Sequence, residues 1–125
     1  MIFLSFSGSA FNKTYSESNI YMIISPKGEH ASQMDFLYKA VGFVNDKVYP
    51  GEDFGADYKG ISLKEGRYED IVKNWIASMD KSIEIKFDEI KDILRIKCTN
   101  SDPYRDEYLI ETGSEYIMFL WSTTA

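Results

Sequence analysis

The sequence predicts one α+β domain spanning residues 1–125, with a mainly antiparallel sheet of five to seven strands packed against two helices. Three observations lead there. Alternating apolar and polar residues recur through the last third of the chain, the signature of half-buried strands joined by short connections. One stripe, Tyr68, Ile71, Val72, Trp75, Ile76 and Met79, repeats at helical spacing. A length of 125 residues suits a single core.

In chain order, Ile2, Leu4 and Phe6 alternate with Ser5 and Ser7, and Phe3 breaks the pattern, so a strand is expected over 2–7. Residues 8–19, rich in Gly, Ser and Asn, read as a surface loop. Ile20-Tyr21-Met22-Ile23-Ile24 is a continuous apolar run, expected to be a buried strand, and Ser25-Pro26-Lys27-Gly28 stops it. Ser32 and Asp35 have the spacing of a capping box. The helix expected after them carries Met34, Leu37, Tyr38 and Val41 and ends at Gly42. Residues 43–49 are read as extended and 50–60 as a loop. Ser62 and Glu65 suggest a second capping box before the helix that carries the Trp75 stripe, where Glu69 and Lys73 stand in the favourable order for an exposed pair.

The rest reads as strands. Ile83, Ile85 and Phe87 oppose Glu84, Lys86 and Asp88; Leu94, Ile96 and Cys98 oppose Arg95, Lys97 and Thr99. Tyr108, Ile110 and Thr112 oppose Glu107, Leu109 and Glu111, and residues 115–121 are apolar on both parities. Connections are expected at 88–92, 100–105 and 112–114. Strand order is open at this level.

Composition narrows the chemistry. Apolar residues make up 44% and charged residues 27%, a globular composition. The formal net charge of -6 opposes direct binding to a nucleic-acid backbone and permits a basic protein partner. One cysteine excludes an intrachain disulfide, and a reducing, cytoplasmic interior is the expected compartment. The opening residues lack a basic stretch and turn polar after Phe6, unlike a secretory leader, and no apolar run is long enough to span a membrane as a helix.

No catalytic constellation stands out, and no cofactor or metal is expected. His30 is the single histidine and reads as an exposed residue before a helix cap; Ser5, Ser7 and Ser9 are its conceivable nucleophile partners. Cys98 shares the parity of Leu94 and Ile96 and reads as a buried apolar residue. Glu52, Asp53 and Asp57 offer oxygen ligands but lack the spacing of a calcium loop. No glycine-rich phosphate-binding pattern occurs.

Charge is unevenly distributed. Residues 1–58 sum to -3, residues 59–105 to +1 and residues 106–125 to -4. Acidic residues beside aromatic anchors suit recognition of a cationic protein surface. The expected function is therefore that of an acidic stoichiometric inhibitor or immunity-type protein, not an enzyme, that masks a basic partner such as a nuclease toxin. Its contact residues are expected among Glu52, Asp53, Asp57, Glu107, Glu111, Glu115, Tyr116 and Trp121. The unbound chain is expected to be a monomer or weak dimer. The alternatives are a small carboxylate- or metal-dependent hydrolase and a non-catalytic adaptor.

Overall fold

The structure, a computed structural model, describes residues 1–7, 18–47, 61–77, 89–97 and 105–123. It contains β1 (Ile2–Ser7), β2 (Ser18–Pro26), α1 (Gln33–Lys47), β3 (Ser62–Lys64), α2 (Glu69–Ala77), β4 (Ile90–Lys97), β5 (Arg105–Thr112) and β6 (Glu115–Thr123). The six strands form one sheet in the order β1-β2-β6-β5-β4-β3, with every neighbouring pair antiparallel. This is the α+β architecture that the alternation predicts. The expected strand at 83–88 and the position of Cys98 lie outside the described residues.

The sheet buries both faces. On one, Phe36, Leu37, Ala40, Val41 and Val44 of α1 pack with Ile23, Ile96, Leu109, Met118 and Leu120. On the other, Val72 of α2 packs with Ile20, Met22, Ile93, Tyr108, Ile110, Ile117 and Phe119, and Tyr68, Trp75 and Ile76 close over them. Covering both faces explains why β2 and β6 read as continuous apolar runs: they are inner neighbours and have no solvent side.

Four local expectations are corrected. Helix α1 does not end at Gly42 but runs on to Lys47, so 43–47 is helical, not extended. A glycine costs about 1 kcal/mol inside a helix, and the burial of Val44 one turn beyond Val41 outweighs that. The buried stripe is centred on Phe36 and Ala40, leaving Tyr38 exposed. Ser62 does not cap a helix: it begins edge strand β3, opposite Lys97, and α2 starts only at Glu69. Finally, β4 begins at Ile90, with a register irregularity between Ile90 and Asp92 where a connection is expected.

Other local signals hold. The Ser32 hydroxyl accepts the Asp35 N–H at 3.1 Å, an N-cap contact. The Asp35 carboxylate reaches the Ala31 N–H, one residue short of the strict box. Glu69 and Lys73 form their pair at 3.0 Å. The β5–β6 turn is closed by Thr112, whose hydroxyl accepts the Glu115 N–H at 3.0 Å.

Tyr108 gives the fold a pH dependence. Burial pushes its phenol above the ordinary value of 10.0, and the Asp106 carboxylate adds to this. The native state therefore favours the neutral phenol, while the unfolded chain ionises first. The stability tied to this group is complete below pH 10 and is lost as pH rises from there through the raised native value. Denaturation midpoints measured from pH 8 to 11 should fall with pH, and Tyr108→Phe should flatten part of that slope. An unchanged slope in Tyr108→Phe would assign the effect to other tyrosines.

Candidate functional site

The best-formed polar cluster lies where β2 gives way to α1. Proline at 26 ends the ladder, and a short 3-10 turn, Lys27–Glu29, folds the chain back so that His30 returns beside Ser25. The His30 ring is not a surface group, as its sequence neighbours suggest: its side chain is only 3% exposed. It meets the Phe36 ring edge-on at 5.2 Å and lies 6.3 Å from Tyr116. Its Nε2 is 2.7 Å from the Ser25 hydroxyl, and its Nδ1 is 3.7 Å from the Asp35 carboxylate. The Ser25 hydroxyl donates toward Glu29 at 3.3 Å.

These residues have the identities of a hydrolytic serine–histidine–aspartate set, but their placement does not suit that chemistry. Ser25 is completely buried, and the Nδ1–Asp35 separation exceeds a hydrogen bond. The hydroxyl already serves Glu29. A groove of about 380 Å³ lies elsewhere, between Gly66–Asp70 and Ile90–Ile93. The cluster instead clasps the start of α1 to the ends of β2 and β6. Lys39, at 3.1 Å, together with the Ala31 N–H, holds the Asp35 carboxyl below its ordinary range. The Lys27 ammonium joins the cluster from the sheet side, 3.5 Å from Glu111 and 5.7 Å from the centre of the Tyr116 ring.

Ser5 and Ser7 are far from this histidine. Ser7 pairs with Asn19, six residues along β2 from Ser25, a span of about 20 Å. Ser9 lies outside the described residues. The Ser25–His30 pairing has no advance signal in the sequence, because a three-residue turn creates it rather than a helical or strand period.

The expected partner-binding residues are dispersed. Glu107 is buried and sits 2.6 Å from Arg105. Glu111 is paired with Lys27. Tyr116 packs against Phe36 on the α1 face. Trp121 lies on the opposite face, stacked on Trp75 with ring centres 4.2 Å apart. Glu115 is half-exposed at the β5–β6 turn, opposite Pro26. These five residues therefore do not form one contact surface. Glu52, Asp53 and Asp57 lie outside the described residues.

Among the described residues no group of three or more His, Cys, Asp or Glu side chains is arranged to hold a metal ion. No helix among them is long and apolar enough to cross a membrane. Comparison with protein families, curated proteins and solved structures finds no match to this chain.

Proposed function

We propose that this domain is a non-catalytic binding protein that masks a basic protein partner, in the manner of a stoichiometric inhibitor or immunity protein acting on a nuclease toxin. One observation supports this above the others: where the surplus negative charge falls. The chain carries 14 cationic and 20 acidic side chains, and residues 1–58 sum to -3, residues 59–105 to +1 and residues 106–125 to -4. Several of these charges are already matched within the fold, at Lys27–Glu111, Arg95–Asp106 and Arg105–Glu107. Glu52, Asp53 and Asp57 belong to the acidic first zone. Carboxylates there would meet the Lys and Arg residues that otherwise hold nucleic acid, and would steer the encounter. A reducing cytoplasm suits a chain with one thiol.

The test begins with co-purification from untagged lysate and mass spectrometry of what binds. Association with the partner is then measured across salt concentrations. Reversal of Glu52, Asp53 and Asp57 to lysine should slow association by about tenfold or more at low salt and leave the unfolding midpoint unchanged. Association that is equally fast in the triple variant at low and moderate salt removes this reading.

A further inference from the structure

The outer edge of the sheet at β1 points to a second copy of this chain. Strand β1 pairs with β2 along all six of its residues and, among the described residues, has no strand on its other side. Its backbone N–H and C=O groups on that side form a template for another strand. Edge strands are commonly guarded by charge or kept short. The opposite edge shows both protections, since β3 has three residues and ends in Lys64. Residues 2–7, Ile-Phe-Leu-Ser-Phe-Ser, contain no ionisable side chain.

The side chains of β1 resemble those of an inner strand. Leu4 and Phe6 pack toward the α2 face, while Phe3 packs toward the α1 face, with its ring 6.1 Å from Tyr21 and 5.6 Å from Phe43. All three are only half-buried. Ile2 is 59% exposed, the most exposed large apolar residue of the β1 edge. A strand with apolar groups on both faces completes its burial only when another strand lies beside it.

We propose that β1 pairs antiparallel with β1 of a second copy, joining the two sheets into one continuous sheet. A basic partner gains no ion pair from this uncharged edge. Two copies of a chain with net charge -6, by contrast, repel least along strands that carry no acidic side chain. A two-fold axis perpendicular to the sheet keeps each face continuous, so residues of like parity meet. Centring on Leu4 places Leu4 against Leu4 and Ile2 against Phe6, which covers the exposed isoleucine. Centring on Ser5 would leave Ile2 beyond the end of the partner strand. This surface is separate from the acidic segments of the binding proposal.

Cross-linking reads the register directly, in a chain whose single cysteine is removed by Cys98→Ser. Directly opposed residues have Cα atoms about 4.5–5.5 Å apart, within disulfide reach. Leu4→Cys should therefore form a covalent dimer under mild oxidation. Ile2→Cys should not, because its two copies lie about 14 Å apart along the strands. Sedimentation of the unaltered chain should show a dimer that grows with concentration. Ile2→Lys should weaken it at least about tenfold with unchanged circular dichroism, since a lysine would face Phe6 of the other copy. The proposal fails if the unaltered chain is monomeric at every concentration, if Ile2→Lys leaves assembly unchanged, or if the two cysteine variants cross-link equally. Should Leu4→Cys not fold, the Ile2→Lys comparison decides alone.

Discussion

Phe36→Ala is expected to remove about 3–5 kcal/mol of stability. Phe36 has no exposed surface and stands at the start of α1, where its ring joins the helix to the sheet. It touches the His30 ring edge-on at 5.2 Å and lies 5.6 Å from Tyr116 of β6. Truncation would lose the transfer energy of the ring and leave a cavity that a strand and a helix, both fixed elsewhere, cannot close. The loss would be a fifth or more of the stability of an ordinary domain, roughly 5–15 kcal/mol. It would also loosen the Ser25–His30 contact, because the imidazole is packed against this ring. Urea denaturation followed by circular dichroism checks this. A loss below about 1 kcal/mol would mean that the α1 face is not the packed core described.

The importance of Phe36 is only partly legible in the sequence. Helical spacing locates α1, and Ser32 marks its start correctly. The spacing does not fix which side faces the sheet, because Met34, Tyr38 and Phe43 are apolar too. Tertiary contact selects Phe36, Leu37, Ala40, Val41 and Val44, and that same contact carries the helix through Gly42. Strands are more readable, since period-two alternation leaves only two choices of face. The continuous apolar run at 20–24 marks a buried strand, and the structure places it as β2 inside the sheet. Ser62 shows the opposite case: one local pattern fits both a cap and a strand start, and pairing with Lys97 decides between them. The polar cluster at His30 was the least readable. It depends on a turn that reverses the chain after Pro26, and no periodicity reports such a turn. Likewise, nothing in the spacing of the β5 carboxylates reports Arg105 and Lys27, which the structure places beside them.

Val72→Asp should be as damaging as the loss of Phe36, for a different reason. Helix α2 has nine residues, too few to persist alone in water. Its hold on the sheet centres on Val72, which is 1% exposed and is the helix's one fully buried residue. Ile71, an expected member of the stripe, is 42% exposed, and Trp75 is only half-buried against Trp121. A carboxylate at position 72 would have to enter the apolar layer of Ile20, Met22, Ile93 and Phe119, or the helix would have to lift away. Either route should cost about 3 kcal/mol or more at neutral pH. The cost should shrink toward acid. Desolvation raises the pKa of a buried carboxyl, so the native state of the variant takes up its proton at a higher pH than the unfolded chain. The penalty is then full above the raised native value and diminishes as pH falls toward about 4, the unfolded value. Val72→Ile, which keeps the site apolar but adds a methylene, should cost about 1–3 kcal/mol and show no such pH dependence. Denaturation of both variants at pH 7 and pH 4 separates the possibilities. If Val72→Asp costs under about 0.5 kcal/mol at both values, α2 is not seated on the sheet through Val72.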